Sequence, residues 1–464
     1  LENYFRLTEA HIKEYGRSEL FHTIGLAERS YSDDRGVELR LKLYVYRRIV
    51  NYLKERWPNA PLLIASWDLW MFYTAGEVKK LLSQLDPGQA ILFDYTSDTM
   101  RESNFTNWGV VGKFPWIFGI FHAYERNSEI RGNYDLTEER LAIAKDDSFC
   151  KGLVFWPEIS HSDTFMLEFF AENAWSPLTM SMDERIAKYC VSRYQWDSGI
   201  MTEIWRCFMP VVKLMSWSMD NTSRNVNECF IDIFRFPLWD ERDPSAFESI
   251  LDNSAKNVGN AVNVLETLAS LDNITKDKFL RRDVFDIART VCGRYLNFGI
   301  ALVQKLVCQW RNGMDTTAAV FKACGSCIRL MELLAELLSG HGDYSLYESL
   351  CQLKRVHEEN PVFEGTLKNN ASNHYCRSYI YENARFLYLP EMKQMFDFLK
   401  RNINEGNREK LLYMDEYMKK AEKNKELYDG IPLSEMAYRT PRPVGGILCD
   451  ISKEIGRLEF KNKN

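Results

Sequence analysis

The sequence lacks several things, and each absence removes a class of function. No run of apolar residues is long enough to span a bilayer. Lys and Arg do not cluster. The 59 of them face 65 Asp and Glu, leaving a formal net charge of −6 and none of the basic footprint that nucleic acid requires. His, Cys and carboxylates nowhere gather at ligand spacing, so no metal or other cofactor is expected. There is no tandem repeat. The 11 cysteines are odd in number and scattered without the spacing of a disulfide framework. Cys324 and Cys327 do form a C-x-x-C, but Leu330, Leu333 and Leu334 continue a helical pattern and no second pair follows. That points to buried helical thiols, and reduced thiols suit a cytoplasm. An initiator Met and a signal-peptide pattern are also missing, so a fragment, a removed leader and a secreted or lysosome-like location stay open. Four N-x-S/T sequons, at Asn104, Asn221, Asn273 and Asn370, are what an Asn-rich chain produces by chance.

What is present is a chain of 464 residues with 45% hydrophobic content, ample for a sizeable core and too long for one ordinary domain. Aromatics reach 13%, with 12 Trp and 23 Tyr. Such an excess suits either stacking on pyranose rings or ordinary core packing. Two textures divide the chain. From residue 1 to about 176, continuous apolar runs alternate with helical patterns. The runs are Leu20–Ala27, Pro61–Trp67, Ala90–Tyr95, Pro115–His122 and Gly152–Pro157. Unbroken apolar runs predict strands buried on both faces, and the helical stretches between them, such as Gly36–Glu55 and Gly76–Leu85, predict a parallel sheet. From about 177 to 464 strand signal is scarce. Asp283–Trp310 carries Val284, Ile287, Ala288, Val291, Tyr295, Phe298, Leu302 and Leu306 on one helical face. Thr316–Leu338 and Tyr375–Asn402 have similar spacing, so this half reads as a helical bundle. The fold expected is therefore α/β followed by all-α.

In a (β/α)8 barrel, catalytic groups project from the C-terminal ends of the strands. Polar groups stand at those ends here. They are Glu28 after the first run, Trp67 with Asp68 after the second, and Asp94 with Asp98 after the third. His122 ends the fourth run, and Glu158 follows the fifth, which contains Trp156. Glycoside hydrolysis needs two carboxyl groups flanking the scissile bond, one to protonate the leaving oxygen and one to attack or to activate water. Glu28 and Glu158 end different strands and can converge on one cleft. Either can equally be a surface residue paired with an Arg, such as Arg29 beside Glu28. Trp67 is a candidate sugar platform or a core residue, and His122 a hydroxyl partner or a satisfied buried histidine. Asp94 and Asp98 either orient neighbours or cap the next loop.

At these residues the chain resembles the α-N-acetylglucosaminidases, glycoside hydrolase family 89. The segment Gly152-Leu-Val-Phe-Trp-Pro-Glu-Ile-Ser160, continuing to Glu168-Phe-Phe-Ala-Glu-Asn-Ala-Trp175, is similar to the family's Pro-Glu-Gly-Ile stretch and the helix after it. Ser192-Arg-Tyr194 is similar to its Arg-Arg-Tyr-Gly, Gly112–His122 to its Gly-x-Pro-Phe-Ile-Trp-x-x-Leu-His strand, and Ala65-Ser-Trp67 to its Gln-Gly-Trp. Leu26-Ala-Glu28 falls where the family has Phe-Asn-Glu. The similarity runs over about residues 1 to 200 and is fainter beyond, where Tyr375–Leu399 resembles a late family helix.

The resemblance implies a TIM barrel and a retaining exo-hydrolase that removes terminal α-linked N-acetylglucosamine. Glu28 would be the acid/base and Glu158 the nucleophile, their carboxyl groups roughly 5–5.5 Å apart. Trp67, His122, Asp94 and Trp156 would bind the sugar. Some family features differ: Ala27 replaces the Asn before the acid/base, and Glu125 and Arg126 replace glycines in His122-Ala-Tyr-Glu-Arg-Asn127. The family's Leu-Trp-Gly element is not found near Tyr375. A different sugar, or a non-catalytic carbohydrate-binding or scaffold relative, are the competing readings. Five strand signals fall short of the eight a closed barrel needs, so a segment N-terminal to this chain is expected to complete it, and an oligomer is not excluded. The domains expected are 1–176, the C-terminal portion of a barrel, and 177–464, helical.

Overall fold

The computed structural model describes residues 1–23, 31–70, 72–95, 97–98, 103–122, 129–130, 132–157, 163–215, 248–272, 274, 276–357, 361–372, 379–409, 427–437, 439 and 442–458. Five strands, β1 (Phe21–Thr23), β2 (Leu62–Ala65), β3 (Ala90–Asp94), β4 (Trp116–His122) and β5 (Cys150–Pro157), form one sheet in the order β1-β2-β3-β4-β5. Every pairing is parallel. Helices connect the strands: α1 (Glu2–Tyr15) before β1, α2 (Arg35–Arg56) after it, and α3 (Ser66–Trp70) with α4 (Ala75–Leu82) between β2 and β3. α5 (Asn104–Asn107) precedes β4, α6 (Tyr134–Asp146) precedes β5, and α7 (Thr164–Trp175) follows it. Strands in sequential spatial order, all parallel and joined by helices, form an arc of a (β/α)8 barrel. Among the described residues, β1 and β5 each pair on one side only.

The five apolar runs are thus strands, and their continuity has a physical cause. Leu62, Ile64, Ala90, Leu92, Trp116, Phe118 and Ile120 face the helices, packed with Tyr46, Ile49 and Leu53 of α2 and with Leu141 of α6. The alternate residues Leu63, Ala65, Ile91, Phe93, Ile117, Phe121 and Val154 gather on the opposite face. Both faces are apolar, so no alternation appears in the sequence. β2 ends sooner than its run suggested: Ser66 turns directly into α3, so Trp67 lies in a helical turn. Of the first run, residues 24–27 lie outside the described part.

Helix starts follow local chemistry. Asp34 caps α2 by accepting from the amides of Gly36 and Val37 at 2.7 and 3.2 Å. Thr74 and Glu77 form a reciprocal capping box at α4. After α7 the described chain is helical. It runs through α8 (Met182–Tyr194), α9 (Ser198–Val212), α10 (Glu248–Lys256), α11 (Val258–Ala269), the 34-residue α12 (Lys278–Arg311) and α13 (Thr317–Leu338). It continues with α14 (Leu346–Val356), α15 (Pro361–Ser372), α16 (Leu389–Asn404) and α17 (Val444–Arg457), with a π-helical stretch at Asn383–Tyr388 leading into α16. No helix among the described residues is long and apolar enough to cross a membrane. Cys324 and Cys327 are buried free thiols on α13.

The two halves share one core. Tyr134 of α6 and Phe165, Met166 and Phe169 of α7 pack in the same cluster as Val284, Ile287, Val291 and Tyr295 of α12. The last crossover helices of the sheet are therefore also part of the helical bundle.

At the N-terminal end of the sheet, Asp147 ties β4 to β5. It accepts from the Trp116 indole at 2.8 Å, the Gly112 amide at 3.1 Å and the Phe149 amide at 3.0 Å. Burial raises its pKa, but these three donors outweigh that and hold it below the ordinary aspartate value of 3.8. A depressed carboxyl pKa stabilises the fold above the unfolded-state value and loses that contribution as pH falls through the folded-state value. Asp147→Asn is expected to melt below the wild type at pH 7. The gap should shrink as pH drops below 3.8, as thermal unfolding across pH will show.

Candidate active site

The C-terminal ends of the strands open onto the inner face of the arc. Aromatic rings crowd there. Phe93 meets Tyr95 edge-on at 4.2 Å between centroids, and Trp156 lies 5.2 Å from Tyr95 and 5.8 Å from Phe93. Phe121 lies 6.1 Å from Tyr95, and Trp67 packs against the same cluster. Trp156 is 41% exposed, so its ring is accessible from the interior. Such an exposed indole beside a tyrosine is a surface on which a sugar ring can stack.

Two further inner-face residues, not singled out from the sequence, join this cluster. His22 of β1 lies level with Leu63 in the sheet register, and its Nε2 is 3.4 Å from the Tyr95 hydroxyl. Although His22 is open to solvent, desolvation lowers its pKa, favouring the neutral ring. Burial pushes the Tyr95 phenol up to about 12, so it stays protonated and can donate. The sequence held only a weak signal for this pair. His22 reads as one polar residue in an apolar run, and Tyr95 as the end of another.

The loop after β3 is built from buried polar groups. Asp94 is fully buried and accepts from the Ser66 hydroxyl at 3.1 Å and the Asn104 amide at 3.4 Å. Ser66 Oγ in turn accepts from the Tyr95 amide at 3.1 Å. Through these bonds Asp94, expected to bind substrate or to orient its neighbours, joins the ends of β2 and β3 to α5 and fixes the backbone of Tyr95. Asp98 is likewise buried, its carboxylate accepting from Asn133 at 2.8 Å. Asp68, flagged after β2, is buried in an ion pair with Lys42 of α2 and accepts from the Tyr46 hydroxyl at 2.7 Å. Burial raises its pKa despite Lys42 and Tyr46. Asp68 thus anchors α2 to α3.

Of the remaining candidates, Trp67 is half-buried at the cluster, where a platform or a packing role both fit. His122 closes β4 opposite Pro157, with its side chain outside the described residues. Glu28 and Glu158 also lie outside the described residues.

Residues 4–177 match the model of the α-N-acetylglucosaminidase (NAGLU) TIM-barrel domain. Over that stretch the chain is similar to the barrel domain of the α-N-acetylglucosaminidases. A family 89 glycoside hydrolase from Clostridium perfringens has the same fold, at 13% identity. Its complex with PUGNAc superposes with a TM-score of 0.57, and that with 2-acetamido-1,2-dideoxynojirmycin with 0.58. Its complex with GlcNAc-α-1,4-galactose superposes with 0.59. Each match covers 88% of this chain and 46% of the other, so the chain spans about half the length of the structures it resembles. No curated protein sequence matches the chain. The fold likeness extends through the helical part, well beyond residue 177.

One glycine is essential to the rim. A Cβ on Gly119 of β4 would lie 2.5 Å from the Asp94 carbonyl oxygen and 2.6 Å from the Phe93 ring. Gly119 also exchanges hydrogen bonds with Ser97, which closes the loop over it. Gly119→Ala should cost about 1–3 kcal/mol through overpacking, read as a lower denaturation midpoint. It should also disturb the Phe93–Tyr95–Trp156 cluster, read as a change in near-ultraviolet circular dichroism.

Proposed function

We infer that the chain forms part of a retaining glycoside hydrolase that releases terminal α-linked N-acetylglucosamine from glycans. The observation that carries this reading is the match of residues 4–177 to the α-N-acetylglucosaminidase barrel domain, on a parallel arc with an accessible aromatic surface at its C-terminal rim. In this reading Glu158 is the nucleophile. It is two residues beyond Trp156, and Val154 and Trp156 are inner-face positions of β5. Glu28, five residues beyond the end of β1, is the acid/base.

Each chemical step has a residue to perform it. The Glu28 carboxylic acid protonates the glycosidic oxygen while the Glu158 carboxylate attacks the anomeric carbon, giving a glycosyl ester and free aglycone. The Glu28 carboxylate then takes a proton from water as it attacks the anomeric carbon, breaking the bond to the Glu158 oxygen; the sugar leaves with its original configuration and Glu158 is freed as a carboxylate. The Trp156 and Tyr95 rings supply a stacking surface for the sugar. The His22 imidazole and the protonated Tyr95 hydroxyl supply hydrogen bonds to it. The rest of the barrel wall must come from strands beyond β1 and β5. A segment pairing with the outer edges of β1 and β5 would close the interior and limit access of bulk solvent to it.

The test is turnover of p-nitrophenyl N-acetyl-α-glucosaminide by the full-length protein. Wild type should release nitrophenol, and Glu158→Gln should lose several orders of magnitude in kcat. Trp156→Ala should mainly raise KM, because it removes a binding surface and no reacting group. Turnover of a different aryl α-glycoside would change the sugar assigned. A folded wild type inert toward all of them would indicate a carbohydrate-binding or scaffold role.

A further inference from the structure

Helix α12 carries an apolar face, but a second face bears Asp283, Asp286, Arg289, Thr290 and Arg294, all buried. These positions recur every three to four residues and so form one stripe along the helix. The stripe meets the chain just beyond β4 and β5. The Asp163 amide donates to Asp286 Oδ2 at 2.8 Å, and Arg289 Nη2 donates to the other oxygen of Asp286 at 2.8 Å. One turn further, the Ile130 amide donates to Thr290 Oγ1 at 3.3 Å. Arg294 donates to Glu129 at 2.6 Å and to the Ile130 carbonyl at 2.8 Å.

The geometry is tight on both sides. Asp163 adopts a left-handed conformation with φ of 57° while capping α7 through the Met166 amide at 3.2 Å. A strained cap of this kind persists only where its surroundings fix it, and the bond to Asp286 is one of those constraints. A Cβ on Gly293 would lie 2.4 Å from Glu129 Oε1 and 2.9 Å from the Tyr379 ring, so glycine there lets α12 close on Glu129. Arg289 Nη1 also donates to the Tyr379 carbonyl at 3.2 Å.

We propose that Asp286 and Arg294 of α12 are positioning residues for the proposed glycosidase site. They clamp the chain at Asp163, five residues after Glu158, and at Glu129 and Ile130, seven and eight residues after His122. The proposal rests on the reading of Glu158 as nucleophile. α12 thus acts on the site indirectly, by fixing where the segments leaving β4 and β5 are anchored.

The experiment uses the full-length protein and the variants Asp286→Ala, Asp286→Asn and Arg294→Met, with Glu336→Gln as control. Glu336 pairs with Arg442 at 2.8 Å elsewhere in the helical half. Aryl glycoside kinetics, thermal unfolding and amide hydrogen exchange at Asp163 and Thr164 are measured on each. A displacement of about 1 Å at a catalytic group costs on the order of 100-fold in rate, so Asp286→Ala and Arg294→Met should lose kcat on that scale with a smaller change in KM. Exchange at Asp163 should accelerate in Asp286→Ala. Asp286→Asn keeps an acceptor for the Asp163 amide and should recover part of both. Glu336→Gln should shift the melting temperature without a matching loss of kcat. If Asp286→Ala does not fold, Asp286→Asn decides: kcat within about twofold of wild type together with wild-type exchange overturns the proposal. So does a kcat loss that the control reproduces at equal destabilisation. An inactive wild type would defeat the glycosidase reading alone, since unchanged Asp163 exchange in Asp286→Ala overturns the clamp in either case.

Discussion

Taking a guanidinium and a carboxylate out of water costs several kcal/mol per ion, and only close, well-satisfied pairing offsets it. α12 places such pairs twice, with Arg289 on Asp286 and Arg294 on Glu129, all of them almost fully buried. Burial still wins at both carboxyls, raising the pKa of Glu129 against Arg294 and Arg289, and of Asp286 against Arg289. Removing one partner of such a pair typically costs about 3–5 kcal/mol, because the other charge is left uncompensated. A helix packed through apolar contacts alone would hold the two halves together with less directional demand. The ionic stripe adds a fixed register between α12 and the ends of two strands. The shared core of α6, α7 and α12 grows around that register.

The sheet places a different constraint on the molecule. Its outer face is covered by α2, α4, α5 and α6, while Leu63, Ile91, Phe93, Ile117 and Val154 line an inner face that only a barrel wall can cover fully. The aromatic rings at the rim stand where that apolar lining meets the C-terminal loops. This brings the Trp156 indole, the His22 imidazole and the Tyr95 phenol together at the ends of the strands.

Much of the fold was legible in the sequence because the sheet is buried on both faces. Continuous runs such as Ala90–Asp94 and Trp116–His122 have no other ready explanation, and the long period of α12 announced a buried helix. Boundaries were less legible where a strand passes directly into a helix, as at Ser66, since the apolar texture does not change there. The site was legible only in part. Trp156 and Trp67 could be chosen as aromatic residues following strands. Asp68 and Asp94 stood out for the same positional reason, but their partners Lys42, Tyr46, Ser66 and Asn104 lie on other elements and could not be read from the sequence. The stripe on α12 was invisible for a related reason. Charged residues opposite an apolar helical face read as a solvated surface, and only the folded chain shows that Glu129, Ile130 and Asp163 cover them.

The central claim is that two glutamates at this rim act by double displacement. The most direct measurement is the anomeric configuration of the first sugar released, followed by proton nuclear magnetic resonance before mutarotation. The account predicts the α-anomer, the configuration of the substrate. Initial appearance of the β-anomer would mean a single inverting displacement with the carboxyl groups roughly 6.5–9.5 Å apart, and would contradict it.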